Sequence, residues 1–248
     1  MSQKFGQHFL VRDTILEPLA AACGENLERT VEIGPGRGTL TRHLLPRTAE
    51  LHAIEIDSAL VARLRTRFAA EPKLCVHEAD VLATDLSQWG PAVITGNLPY
   101  YITSPIVKKF LALDARFETA VFLVQWEVAE RLVASPGTRA FGYLSVAAQL
   151  VCELELLRKV PPEAFAPPPR VDSGAVRLRR KKTPPPDLDD LLLFVGRCFT
   201  HKRKTLRNNL RPFYGENTGS LPEAGLRAEK LTLAQFVELH ERLRRNGS

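Results

Sequence analysis

Through the first 125 residues, short runs rich in β-branched and apolar side chains alternate with longer stretches in which Leu, Val and Phe recur at helical spacing. Residues 30–33, 50–56, 73–77, 92–96 and 119–125 read as strands, and 37–45, 58–68 and 105–113 as helices. Strands separated by helices imply parallel βαβ units, hence an α/β fold: a doubly wound sheet with helices on both faces. Helical runs follow at 127–134 and 143–150. The proline-rich tract 161–173 is incompatible with regular helix or central strand, and it leads into a strand at 175–180. The sequence KKTPPPD (181–187) predicts a boundary, after which 188–199, 203–213, 223–229 and 233–243 all carry helical spacing, with the turn-rich GENTGS between them. The predicted organisation is an α/β domain at 1–183 and a small all-helical C-terminal domain at 184–248.

Composition narrows the class. With 248 residues, 44% hydrophobic and 25% charged, the chain has material for one large core and a small second one. No stretch approaches the roughly 18 apolar residues of a membrane span, and MSQKFGQHFL lacks the apolar segment of a secretory signal, so the cytoplasm is the expected location and no membrane partner is expected. Cys23, Cys75, Cys152 and Cys198 lie far apart with no CxxC pair, which predicts reduced core thiols, no disulfide framework and no metal. Residues 177–211 hold eleven Lys or Arg against Asp187, Asp189 and Asp190, a local charge of +8 in a chain whose total is +6. One basic helix is often only a solvated face, but two basic clusters flanking a linker point to a polyanion partner.

The run Val31-Glu32-Ile33-Gly34-Pro35-Gly36-Arg37-Gly38 puts three glycines where a strand turns into a helix. Such a turn lets a ligand approach the backbone and offers free N–H groups. The spacing G-x-G-x-G misses the dinucleotide fingerprint by one residue, and alone it is compatible with a plain structural turn. Two acids extend the signal. Glu55 ends the second strand, where a carboxylate accepts hydrogen bonds from ribose hydroxyls, and Asp80 follows the third, where it accepts from an adenine amine. Asp57 reads as a helix cap. Ligand-competent positions at three successive strand ends describe a nucleoside-containing cofactor.

After the fourth strand comes Asn97-Leu98-Pro99-Tyr100. The exocyclic nitrogen of adenine is a poor nucleophile because its lone pair is delocalised into the ring. The Asn97 amide oxygen and the Leu98 carbonyl can each accept one of its N–H groups and draw it toward tetrahedral geometry. Pro99 biases Leu98 to an extended conformation, and Tyr100 offers a flat face for the base, worth about 1–3 kcal/mol. Read alone, the tetrad is also compatible with a turn closing a strand.

The motifs FGQHFL (5–10), VEIGPGRGTLT (31–41), IEID (54–57), EADVL (78–82), GNLPYYITSP (96–105), VPPEAFAPPPRVDS (160–173) and FTHKRKTLRNNL (199–210) occur in an order that resembles the ribosomal RNA adenine dimethyltransferases, the family that contains the small-subunit enzyme linked to kasugamycin resistance. The resemblance covers nearly the whole chain. It implies a Rossmann-like methyltransferase sheet, S-adenosylmethionine as cofactor, and an N-terminal segment closing over it through His8 and Leu10. It likewise places Gly34, Glu55, Asp80 and Asn97 at the cofactor, where the glycine turn also puts Gly36, and Phe165 on the far face of the target adenine from Tyr100. Large-subunit methyltransferases of macrolide resistance share the catalytic motifs. HKRKTLRNNL and LRAEKLTLAQF resemble the small-subunit branch, which implies a tail that docks on small-subunit ribosomal RNA in an assembling particle; a monomer is the separate expectation.

Three positions depart from the family pattern: His8 where Asn is usual, Tyr101 where Asn or His is common, and Trp126 where Lys is typical. Trp126 reads either as packing against the sheet or as a base-stacking surface. DNA adenine and protein glutamine methyltransferases are the competing enzyme reading, disfavoured by Leu98 in a tetrad that there usually reads Asn-Pro-Pro-Tyr. A non-catalytic RNA-binding assembly factor is the competing reading from another class. For RNA contact the sequence predicts Lys202, Arg203, Lys204, Arg207 and Arg211, with Arg203, Arg207 and Arg211 recurring on one face of the 203–213 helix.

Overall fold

The computed structural model describes residues 8–245. In chain order its elements are β1 (Phe9–Leu10), α1 (Asp13–Cys23), β2 (Leu27–Ile33), α2 (Thr41–Leu44), β3 (Thr48–Glu55), α3 (Ser58–Arg67), β4 (Leu74–Glu78), β5 (Val93–Asn97), α4 (Thr103–Leu111), β6 (Thr119–Gln125), α5 (Trp126–Val133), α6 (Tyr143–Val151), β7 (Cys152–Val160), β8 (Phe165–Ala166), β9 (Ser173–Arg180), α7 (Leu188–Cys198), α8 (Leu206–Tyr214) and α9 (Leu233–Arg245). Seven strands form one sheet in the order β4-β3-β2-β5-β6-β9-β7. The five from β4 to β6 are parallel, and β9 runs antiparallel to β6, so the sheet is mixed.

The centre of the sheet shows why the run 119–125 lacks alternation. Val121 and Leu123 face a core cluster that includes Ile15, Leu16 and Leu19 of α1, while Phe122 between them meets Phe110 of α4 edge-on at 6.1 Å. Both faces are covered, so residues 120–124 are all buried. Asp57 caps α3 by accepting from the N–H groups of Ala59 and Leu60, as expected.

By compactness the chain divides into two units: residues up to Ala129 with Leu154–Arg180, and Glu130–Glu153 with the chain from Lys181 onward. The expected division at 183/184 had left 130–153 in the α/β domain. Those residues belong with the tail because Ala134, Phe141, Val146 and Leu150 share one core with Phe194, Leu206, Leu210 and Phe236. The second unit therefore mixes a middle segment with the C-terminal helices.

Three helices differ from expectation. The one read at 37–45 starts only at Thr41, because the glycine turn holds positive φ at Gly34, Gly36 and Gly38. Residues 223–229 do not form an α-helix. The carbonyls of Ala224 and Leu226 instead accept from Arg207 and Leu206 N–H at 3.0 and 2.7 Å, joining this segment to the start of α8. The helix read at 203–213 consequently begins at Leu206, and Arg203 and Lys204 lie in the preceding turn.

Candidate active site

The order of the sheet places the site. Chain order runs outward from β2 through β3 to β4 on one side and through β5 to β6 on the other, so the crevice at the carboxyl ends of β2 and β5 is the topological switch point where ligands of such sheets sit. Gly34 follows β2 and Asn97 ends β5. The two strands come very close here: a Cβ on Gly96 would stand 2.3 Å from the Ile33 carbonyl oxygen, so only glycine fits.

Gly36, at φ +58, donates its N–H to Glu55 Oε2 at 3.1 Å. Glu55 Oε1 accepts from the N–H groups of Ile56 and Asp57 at 3.0 and 3.1 Å. Burial pushes this carboxyl above the ordinary range, and the three backbone donors oppose that rise. Glu55 borders two adjoining clefts. One of about 540 Å³ also takes in Gly34, Gly36, Asn97, Leu98 and Tyr100. The other, of about 620 Å³, adds Asp80 and the apolar walls of Ile54, Val81, Leu82 and Ile102. Asp80 is exposed at its rim and caps its own turn through Leu82 N–H at 2.8 Å. An apolar slot with one carboxylate in its wall and another at its rim fits an adenosine moiety, and the glycine turn beside it fits an attached chain.

Asn97 Nδ2 donates to the main-chain oxygen of His8 at 2.8 Å, which orients the amide and keeps its oxygen on the other side. Leu98 is anchored by its N–H on the Leu123 carbonyl at 2.9 Å, with its side chain buried. Its main-chain direction is thus set before Pro99 restricts it further. Tyr100 shares a 2.7 Å hydrogen bond with Ser173, and burial raises its hydroxyl pKa. The His8 ring stacks on Tyr100 at 5.7 Å between centroids, while its Nδ1 donates to the Pro167 carbonyl at 2.9 Å.

His8 is therefore part of the roof of the site. β1 pairs antiparallel with β8, Phe9 opposite Ala166 and Leu10 opposite Phe165, so the proline-rich tract ties down the N-terminal segment. Phe5, Gly6 and Gln7 of the same motif lie outside the described residues. Leu10 is buried and borders a narrow cavity with Glu32, Gly34 and Asn97. Phe165 departs from the resemblance: it is only 4% exposed, packed in the core with Leu10 and Ala164, and it does not border either cleft. The β1–β8 pairing turns it inward.

Phe9 was missed, although it lies inside a recognised motif. Its ring fills the space a Cβ on Gly36 would need, at 2.8 Å, and Arg37 stacks over it at 4.5 Å. Glu32 was missed too. It is fully buried, accepts from Thr41 Oγ1 at 2.7 Å, and burial pushes its carboxyl up to about 8. At its departing position Trp126 follows the packing reading: a Cβ on Gly174 would stand 3.3 Å from its ring, and Lys159 Nζ lies 5.0 Å over its face. Tyr101, the third departure, is 60% exposed beside the clefts.

In the second unit Lys202, Arg203, Lys204, Arg207 and Arg211 are all exposed. Arg207 and Arg211 share a face of α8, and Arg203 precedes it, so the three do not form one helical row. Lys202 Nζ donates to the Arg139 carbonyl, and Arg211 pairs with Glu216 at 2.6 Å. The side chain organising the turn was also missed. Buried Asn209 donates to the carbonyls of Cys198 and His201 and accepts from His201 N–H.

A mixed sheet whose parallel part carries a glycine turn after one strand, an acid after the next and Asn-Leu-Pro-Tyr at the switch point fits a Rossmann-like methyltransferase that acts on an amine nitrogen. The family model for "Ribosomal RNA adenine dimethylase" matches residues 1–244, and the chain belongs to that family. A relative from Alcanivorax borkumensis, "Ribosomal RNA small subunit methyltransferase A", is 42% identical over 96% of this chain and 88% of its own length. Among solved structures, a dimethyladenosine transferase from Plasmodium falciparum superposes with a TM-score of 0.83 at 27% identity, covering 97% of this chain and 98% of that one. The 23S rRNA methyltransferase ErmE superposes at 0.75 with 29% identity, covering 95% and 99%. The cofactor of this family is S-adenosylmethionine, which suits the clefts just described.

Proposed function

We propose that this chain dimethylates N6 of two adjacent adenosines in a single-stranded loop of small-subunit ribosomal RNA, acting as a monomer on a pre-ribosomal particle. The observation that carries the reading is that one cleft holds both the cofactor-type residues Gly34, Gly36 and Glu55 and the amine-presenting group Asn97-Leu98-Pro99-Tyr100. S-adenosylmethionine supplies an electrophilic methyl group when bound there. Glu55 and Asp80 would hold the ribose hydroxyls and the adenine amine of its nucleoside. Asn97 Oδ1 and the Leu98 carbonyl accept the two N–H protons of the target amine, which directs its lone pair out of the ring plane. The nitrogen becomes acidic once alkylated, so a neutral acceptor suffices. Tyr100 supplies the stacking face, and an adenine must leave its helix to reach it. The exposed basic residues from Lys202 to Arg211 bind phosphates flanking the loop without reading bases.

Mapping methylated adenines in ribosomal RNA from cells with and without the protein tests this directly. Two adjacent dimethyladenosines in small-subunit RNA, lost with the protein, are the expected result. Loss of a mark in large-subunit RNA instead would assign the other branch, and unchanged marks would leave only the assembly-factor reading.

A further inference from the structure

Away from the methyl-transfer cleft, β3 and its neighbour β4 bring together residues that no sequence spacing joins. His52 lies opposite Cys75 in the register of these parallel strands, with Glu50 two residues before it and His77 two residues after Cys75. One donor atom from each of Glu50, His52 and Cys75 lies within 4.8 Å of the others. Trp89 closes the group, its ring 4.9 Å from that of His52 and 4.8 Å from that of His77.

The hydrogen bonding inside this group is incomplete in a specific way. His52 is 6% exposed, and its Nε2 is buried with no hydrogen-bond partner, although Glu50 Oε1 lies 3.2 Å away. The other ring nitrogen, Nδ1, lies 3.0 Å from His77 Nε2. If Nδ1 carries the proton and donates to His77, Nε2 presents a bare lone pair toward a carboxylate oxygen. Arg29 holds the other Glu50 oxygen, Oε2, at 2.7 Å and leaves Oε1 unclaimed by that bond. A carboxylate oxygen, an imidazole nitrogen and a thiol gathered this closely form a donor set that one cation can bridge.

We propose that Glu50, His52 and Cys75 bind one divalent cation of the zinc class, with His77 fixing the His52 tautomer from behind. The donor set, one carboxylate oxygen, one imidazole nitrogen and one thiolate, suits a borderline-soft metal and not magnesium or calcium. A ligating histidine usually gives its second N–H to a neighbouring acceptor, and His77 Nε2 is in that place. Metal–ligand bonds of about 2.0–2.3 Å set the ligand atoms of a tetrahedral site roughly 3.3–3.8 Å apart, so side-chain adjustments of about 1 Å close the site. Water completes the coordination, and the Cys75 thiol proton is released on binding. The ion would clip β4, at the end of the sheet order, to β3.

The test is titration of the full-length, chelator-treated and reduced protein with cobalt(II) and then zinc(II), followed by absorbance and equilibrium dialysis. One cobalt per chain, with a sulfur-to-cobalt charge-transfer band that zinc abolishes, is the expected result. Cys75→Ser should lose that band and His52→Gln should weaken binding at least tenfold. His77→Gln should weaken it about tenfold or more through the tautomer. Glu50→Gln, at a half-exposed position where folding is not at risk, should also weaken binding. Zinc should raise the thermal midpoint by about 5 °C at a hundredfold excess over Kd. Absence of stoichiometric binding overturns the site. So does wild-type affinity in both His52→Gln and Glu50→Gln, or a charge-transfer band that survives in Cys75→Ser.

Discussion

In the proposed mechanism Asn97 acts through its amide oxygen, and a hydrogen bond from its amide nitrogen orients that oxygen. His8 accepts this bond through its main-chain oxygen, so the contact is indifferent to the side chain at position 8 and tolerates histidine where the family usually has asparagine. Asn97→Ala should therefore cost about a hundred- to thousandfold in single-turnover methyl transfer at saturating cofactor, the usual effect of removing a preorganised acceptor, with cofactor affinity measured separately by calorimetry. Near-normal turnover would remove Asn97 from the mechanism. Glu32 gives a second expectation at this scale. Its folded pKa, about 8, lies above its unfolded value, so the folded state keeps a proton that the unfolded state releases. Stability should then fall as pH rises from the unfolded pKa toward 8 and level off beyond. Glu32→Gln keeps an acceptor for Thr41 and removes this slope, so urea unfolding should show the variant gaining on wild type by roughly 3–4 kcal/mol between pH 5 and pH 8. A constant difference would mean that Glu32 is ionised in the fold. The placement of Asn97, Glu55 and Asp80 beside the clefts was legible because strand ends and glycine turns announce such positions locally. Phe165 was placed by resemblance alone, and the pairing that buries it joins segments some 155 residues apart, which no local pattern reveals.

Among the elements, the ones read most closely are those whose burial follows their own period. The strand at 119–125 matches to the residue, and the helices read at 58–68, 143–150 and 188–199 differ from the observed ones by one residue. The elements missed take their form from partners. β7, Cys152–Val160, mixes charged and apolar residues at the sheet edge and is mostly exposed along its middle, so its apolar signal is weak. α1 contains Pro18, which obscures its helical pattern, yet it buries Ile15, Leu16 and Leu19. The basic turn before α8 is the clearest case, since one buried amide determines it. Asn209 satisfies the Cys198 and His201 carbonyls and the His201 N–H. Asn209→Ala leaves three backbone groups without that partner, and it should destabilise the fold by about 2–3 kcal/mol in urea unfolding followed by circular dichroism. Asn209→Asp, which cannot donate, should be nearly as damaging. A change below about 0.5 kcal/mol in both would mean that water replaces the amide.

At the scale of the molecule, the proposed function assigns chemistry and target selection to different parts of the chain. The cleft is built wholly within the α/β unit, and unpaired adenines are common in RNA, so the pocket alone does not choose its loop. The second unit carries the exposed cations Lys202, Arg203, Lys204, Arg207 and Arg211, set on a turn and on α8, which Leu206 and Leu210 anchor in its core. Presenting them from a turn as well as a helix spreads the charge over a wider surface than one helical row, a form suited to several phosphates of a structured RNA. Among the described residues Arg211 is paired with Glu216, an exposed ion pair that salt and phosphate can displace at little cost. Reversing Arg203, Arg207 and Arg211 to Glu changes the local charge by six and adds repulsion between position 211 and Glu216. Binding to the small-subunit particle should be lost, and residual binding should show a flatter dependence on salt as phosphate contacts disappear. S-adenosylmethionine affinity should be unchanged, because no substituted residue borders either cleft. Filter binding across a salt series, with methyl transfer to the particle measured in parallel, reads both quantities on one preparation. If the triple variant modifies the particle at the wild-type rate, these residues are solvated surface and the loop must be selected elsewhere.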